Sequence, residues 1–414
     1  MKKNNYFFNL TIIGILYFVF GFITWLNNQL IPFLKTACQL SDTQAYLVTF
    51  AFYISYFVMA LPSAGILKKT GFAKGMSFGL LVMALGCLIF IPAALSRNYV
   101  VFLVGLFVQG TGLALLQTAA NPYVTILGPI ESATQRMCIM GLFNKIAGII
   151  GIYIFSKALL SNFDAISANI NNVTGDNQVV LLNDLAHRII LPYIIMACGL
   201  VLIALMVYLA KLPDVNSSNE VSKQEKQTNK LPLYLWLGVL ALFFYEGAEV
   251  MAIDTLVPYS KSIGLPDTIY TKIGMYALAA LLLGYVSTIV LIPKYLSQRK
   301  ALIYCSVLSL IFVIIALSSK GVTSLVFLIL LSFSNAVMWG AIWALAIDKL
   351  GKNTSFASAL LIMAIVGGAL IPLLYGGLSD LLHSTHIPYI LFLPCYLFIL
   401  YYAVKGYKVG KKNE

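Results

Sequence analysis

The sequence predicts an all-α membrane protein whose twelve transmembrane helices form two pseudo-symmetric six-helix bundles, with both termini cytoplasmic. Three observations predict it. The 414 residues are 60% hydrophobic and only 10% charged, with a mean hydropathy of +0.90, whereas an ordinary soluble domain is about 25% charged. The apolar residues gather into runs of about the 20 residues that a spanning helix needs. The second half of the chain also repeats features of the first in register.

The first run, 9–33, follows MKKNNYFF and lacks the small-residue cleavage site of a signal peptide, so it reads as a retained span. Further runs cover 44–67, 75–95, 98–124, 137–160 and 188–210, completing an N-terminal bundle over 1–210. Residues 211–231 are polar and charged, a composition that buries no core, and form a cytoplasmic linker. Runs at 232–260, 270–293, 301–318, 321–347, 354–377 and 387–404 make the C-terminal bundle, 232–414. With both termini inside, the inner loops carry nineteen lysines and arginines and the outer loops six, the bias expected of cytoplasmic loops. The polar segment 161–187 then becomes one long external loop.

The same features exclude several classes. A net charge of +12 suits a nucleic-acid binder only when it forms one soluble basic face; here it is scattered through loops, so no nucleic-acid partner is expected. The six cysteines have no metal spacing or paired framework. The three histidines, His187, His383 and His386, all fall in or beside outer loops and offer no intramembrane metal site to a polytopic enzyme. The expected surroundings are the lipid bilayer of the inner (plasma) membrane, crossed many times by a monomer without a cofactor.

A shift of 226 positions places Gly21 on Gly247, Leu30 on Leu256, Pro32 on Pro258 and Lys35 on Lys261 without a gap, and continues through Lys68 on Lys294. Two like-oriented halves imply a pseudo-two-fold axis along the membrane normal and a substrate cavity near the midplane, the geometry of alternating access. Pro32 and Pro258 are expected to break or kink their helices.

Polar groups in hydrocarbon are costly and are functional candidates by default. Asn27 and Asn28 in the first span, Gln117 and Asn121 in the fourth, Asn144 in the fifth and Asn335 with Trp339 and Trp343 in the tenth supply amides and indole faces. Amides donate to and accept from hydroxyls, and indoles cover an apolar ring face. With no arginine inside a span to hold an acid or phosphate, this set suits a neutral hexose or close derivative: glucose, galactose, fucose or N-acetylhexosamine. Each amide has an alternative role as interhelical glue. The seventh span carries Glu246, Glu249 and Asp254; the three carboxylates are candidates for coupling to Na+ or H+, with Asp254 first and Glu249 second. Lys145 in the fifth span is the base available to pair with them. A static ion-pair network is the alternative reading.

LLQTAANPYVTILGP (115–129), FFYEGAEV (243–250) and LGKNTSFASALLIMAIVGGALIP (350–372) resemble the signatures of the fucose permease and glucose/galactose transporter family of the major facilitator superfamily. The resemblance implies the major facilitator fold, a central sugar cavity, cation-coupled uptake, a sugar-binding role for Asn144 and a functional acid at Glu249. The chain departs from fucose permeases at Asn28, where they carry aspartate, and at Gln117, where they carry glutamate and the glucose/galactose members glutamine. Coupling is therefore expected to have moved to the seventh span. An uncoupled facilitator and a non-transporting sugar receptor remain open alternatives.

Overall fold

In the computed structural model the described residues are 3–40, 42–159, 170, 173–210, 231–266, 269 and 273–410. Most of the expected linker, 211–230, lies outside them, as do the side chains of Asn27, Asn28 and Pro32. Among the described residues there is no strand, and twelve helical stretches are long and apolar enough to cross a membrane, from Phe8–Leu26 to Ile387–Val404.

The first five spans are uninterrupted helices: α1 (Lys3–Ala37), α2 (Asp42–Thr70), α3 (Phe72–Ser96), α4 (Tyr99–Ile126) and α5 (Ala133–Leu159). The segment read as a loop over 161–187 contains α6 (Asp176–His187), which leads into α7 (Ile190–Leu209), the sixth span. Its polar face hid it from a hydropathy reading. Leu182, Leu185 and Ala186 nonetheless form a buried stripe at helical spacing, with Gly175 at φ 74° and Asp176 opening the first turn.

The later spans are less regular. The seventh is divided into α8 (Leu233–Asp254) and α9 (Leu256–Ser262), while α10 (Ile273–Leu291) and α11 (Gln298–Ser318) are whole. The tenth is α12 (Gly321–Asn335) and α13 (Met338–Ile347); the eleventh is α14 (Thr354–Met363) and α15 (Gly367–Leu382), joined by a 3-10 turn at Ala364–Val366. The twelfth enters through a 3-10 turn, Ile387–Leu391, and continues as α16 (Phe392–Val404).

Proline contributes to one of these breaks. Pro258 has no N–H for the carbonyl of Asp254, four residues earlier, and its ring crowds that oxygen; α8 ends at Asp254. Side chains pin the joint: the Thr255 hydroxyl donates to the Met251 carbonyl (2.6 Å) and the Tyr389 hydroxyl donates to the Thr255 carbonyl (3.3 Å). The expected break at Pro32 does not occur, because α1 runs on to Ala37. Pro62, Pro92 and Pro122 likewise sit inside α2, α3 and α4 without ending them.

Packing divides the chain into two compact units, Met1–Ala120 with Phe143–Asp214 and Asn121–Leu142 with Val215–Glu414. Within the first, Ser77 Oγ donates to the Ala204 carbonyl (2.8 Å) and Phe90 stacks on Tyr193 with centroids 4.1 Å apart, fixing α3 along α7. Small residues let backbones touch where hydrocarbon gives no hydrophobic drive between helices. At Gly21 a Cβ would lie 1.8 Å from the Asn144 carbonyl oxygen, so α1 meets α5 only through glycine. In the second unit a Cβ at Gly367 would lie 2.1 Å from the Phe243 carbonyl oxygen, which fixes α15 against α8 in the same way.

The second unit also holds the end of α4 and the start of α5. Gln298 Oε1 accepts from the Thr134 hydroxyl (2.8 Å), and Gln135 Nε2 donates to the Ile289 carbonyl (2.7 Å). Arg136, expected just ahead of the fifth span, lies inside α5 and is buried. It donates to the carbonyls of Val124 (2.8 Å), Thr125 (2.6 Å) and Gly128 (3.2 Å) and to the Ser132 hydroxyl (2.6 Å). These carbonyls close α4, and a helix C-terminus favours a cation. The expectation of spans without arginine is thus corrected, while the guanidinium is committed to backbone.

Candidate functional site

In the first unit α4 presents Gln117 half-buried, with Nε2 donating to the Tyr56 hydroxyl of α2 (3.3 Å). Tyr56 is itself buried and stacks with Tyr53 at 6.2 Å between centroids. Asn144 is half-buried on α5, its backbone held by the approach at Gly21. The neighbouring Lys145 places Nζ 4.8 Å from the centroid of the Trp25 ring, a cation–π contact that stabilises a charge in a poorly hydrated position. Trp25 and Tyr56 escaped the sequence reading because a lone aromatic in an apolar run carries no periodic signal; a hydroxyl or indole N–H at mid-span was the available clue. The side chains of Asn27 and Asn28 lie outside the described ones.

The second unit supplies a different surface. Tyr245 and Glu249, one turn apart on α8, are both buried, and the Tyr245 hydroxyl donates to the Glu249 carboxylate. The Tyr245 ring lies 6.3 Å from Trp339, which stacks on Trp343 at 5.6 Å and 27°. The four-residue step expected to align the two indoles does so although α12 gives way to α13 just before them. Asn335 Oδ1 accepts from the Tyr396 hydroxyl (2.9 Å). Asn335 and Trp343 are both 0% exposed, yet Asn335 Nδ2 and Trp343 Nε1 have no acceptor among the described residues. An unmet buried donor costs about 1–3 kcal/mol, so native proteins leave few of them without a use.

The other candidates are spread more widely. Asn121 is buried on α4, four residues beyond Gln117, and packs with the second unit. Glu246 is half-buried on α8, whereas Asp254 is exposed at the end of that helix. Five helical residues, about 7.5 Å of rise, separate Asp254 from Glu249, so the structure does not gather the three acids into one cluster. Among the described residues no three His, Cys, Asp or Glu side chains form a group able to hold a metal ion.

The Major Facilitator Superfamily model matches residues 13–372. The chain is 33% identical to the glucose/galactose transporter of Brucella abortus over 98% of this chain and 96% of that one. It is 34% identical to a putative glucose/galactose transporter of Helicobacter pylori, covering 99% of both, and 29% identical to the L-fucose-proton symporter of Escherichia coli, covering 92% of this chain and 88% of that one. The structure superposes on the crystal structure of FucP in the outward conformation with a TM-score of 0.85 and 27% identity, covering 96% of this chain and 98% of that one. Twelve spans and these matches to transporters describe a multi-pass inner-membrane transporter: the chain belongs to the glucose/galactose and fucose transporter family of the major facilitator superfamily.

Proposed function

We propose that this transporter takes up a neutral hexose or close derivative by alternating access, coupled to a cation through the acids of the seventh span. The observation that carries the reading is the second unit's cluster in which half-buried Trp339 stacks on buried Trp343 and neighbours the Tyr245–Glu249 pair, with Asn335 Nδ2 and Trp343 Nε1 unmatched by any acceptor among the described residues. Indole faces suit the C–H surface of a pyranose and amide donors suit its hydroxyls. The amides Gln117 and Asn144 add matching chemistry from the first unit. A sugar acid or phosphate would need a free guanidinium, and that of Arg136 is bonded to three carbonyls and the Ser132 hydroxyl. The names of the relatives, glucose/galactose transporter and L-fucose-proton symporter, support the same substrate class.

For coupling, the geometry favours Glu249 over Asp254, the reverse of the order expected from the sequence. A coupling carboxylate alternates between a shielded and an accessible setting, and in this state Glu249 is shielded beside Tyr245 while Asp254 is already accessible. The proton-coupled relative supports H+ as the coupling ion; Na+ would be held by the same oxygen ligands. Uptake of labelled hexose into proteoliposomes tests the whole reading. Accumulation under an inward proton gradient, unaffected by sugar acids, is expected. Accumulation under a sodium gradient alone would reassign the ion. Equilibration without accumulation would make the protein a facilitator, and binding without any flux a receptor.

A further inference from the structure

At one end of the second unit, the seventh, ninth and eleventh spans finish and the eighth, tenth and twelfth begin. A pocket of about 1020 Å³ opens there, walled in part by Ser262, Lys320, Asp380, His383, Thr385 and His386. It is a built pocket. Ser262 and Thr385 hydroxyls bond each other (2.7 Å), the Tyr375 hydroxyl donates to the Thr385 carbonyl (2.6 Å), and His386 donates from Nε2 to the Ala316 carbonyl (2.9 Å) while stacking on Tyr259 at 5.7 Å. Its lining brings together one amine, two imidazoles and a single carboxylate.

A second concavity of about 400 Å³ borders the same two stretches of chain and is lined only by aliphatic side chains and Tyr276. On one wall the pocket that holds the charged side chains ends at Ile263 and the wholly apolar groove begins at Leu265; on the other the change falls between Gly321 and Val322. Polar lining therefore gives way to purely apolar lining within three residues on both walls. Neither a sugar nor a free anion uses both compartments, since each would leave the groove to bulk lipid.

We propose that this end of the second unit holds one aminophospholipid, with its phosphate at Lys320 and the imidazoles, its primary ammonium at Asp380, and an acyl chain in the groove between Leu265 and Val326. A zwitterionic headgroup matches the Lys320–Asp380 pair, whereas a purely anionic one would set its charge beside the carboxylate. A primary ammonium donates hydrogen bonds to a carboxylate; a quaternary one has no N–H to give. The bound lipid would brace α9, the short helix beyond the break at Asp254, against the turn that opens the twelfth span.

Native mass spectrometry of the delipidated full-length protein, titrated separately with phosphatidylethanolamine, phosphatidylcholine and phosphatidylglycerol, tests this. Phosphatidylethanolamine should bind best, by about fivefold, the worth of roughly one interfacial charge contact. Asp380→Asn should abolish that preference, and Lys320→Gln should weaken all three lipids about fivefold. Val326→Trp should reduce all three by filling the groove. Equal binding of the three lipids, or a preference that survives Asp380→Asn, overturns the proposal. So does competition by inorganic phosphate or hexose as strong as that by lipid, which would make the pocket a vestibule for solutes.

Discussion

The first and seventh spans occupy equivalent places in the internal repeat and share Gly, Leu, Pro and Lys at four aligned positions, yet α1 is one helix of 35 residues and its counterpart is cut after Asp254. The shared proline is therefore not a sufficient cause. A proline removes one hydrogen bond in either helix; the chain separates where side chains beside the break add bonds of their own to its backbone. At α8 the Thr255 hydroxyl bonds the Met251 carbonyl and Tyr389 reaches Thr255 from the twelfth span. The contrast extends beyond the pair, since the first five spans are whole while the seventh, tenth and eleventh are each divided. The acids and indoles lie on the divided spans, where backbone conformation can change locally. The amides Gln117 and Asn144 lie on continuous rods. We therefore expect the first unit's amides to act on sugar affinity alone, and the second unit to contribute both an indole face to the sugar and the acids to coupling.

The largest expected effects come from the two close approaches. Gly21→Ala and Gly367→Ala each drive a methyl into a backbone carbonyl, and forced overpacking costs about 1–3 kcal/mol or more. Both should lower the thermal midpoint by several degrees. If the rods and the divided spans differ in compliance, Gly367→Ala should be the milder of the two; equal losses would remove that distinction. Next, Glu249→Gln should abolish accumulation while leaving exchange between equilibrated compartments, because exchange needs no net cation cycle. Asp254→Asn should retain at least part of the accumulation. The opposite ranking in an uptake assay would return the coupling role to Asp254.

Smaller effects should separate the units by kind. Gln117→Ala and Asn144→Ala should weaken sugar binding by about tenfold, corresponding to a lost buried partner at the low end of 1–3 kcal/mol, with coupling intact in whatever flux remains. Unchanged affinity in both would remove the rods from the site. The least change in stability is expected of Pro258→Ala, within about 1 kcal/mol. It restores an N–H for the Asp254 carbonyl, and amide exchange near residue 258 should slow as α8 and α9 join. Transport lost with binding retained would show that the divided helix is needed for the conformational cycle.

Twelve spans were legible in the sequence because hydropathy over some twenty residues is a sum in which single errors cancel, and the repeat was legible because glycine, proline and lysine keep register where apolar residues interchange. α6 was not, because a twelve-residue amphipathic helix has too low a mean hydropathy to stand out from a polar loop. Asn335, Trp339 and Trp343 were legible as a stripe at steps of four. Their company was not: Tyr396 is 61 residues from Asn335, and nothing in a linear pattern links the two.

The sequence by itself determined the class of the molecule, the number of spans, the repeat and the membership of the polar set, all of which follow from composition and local periodicity. Only the tertiary structure decided which members differ in setting. It buried Glu249 beside Tyr245 and left Asp254 exposed, tied Arg136 to carbonyls of the preceding span, and set Lys145 over Trp25. The physical reason is that burial and hydrogen-bond supply depend on helices brought together from distant parts of the chain, and a polar group in hydrocarbon takes its character from those neighbours.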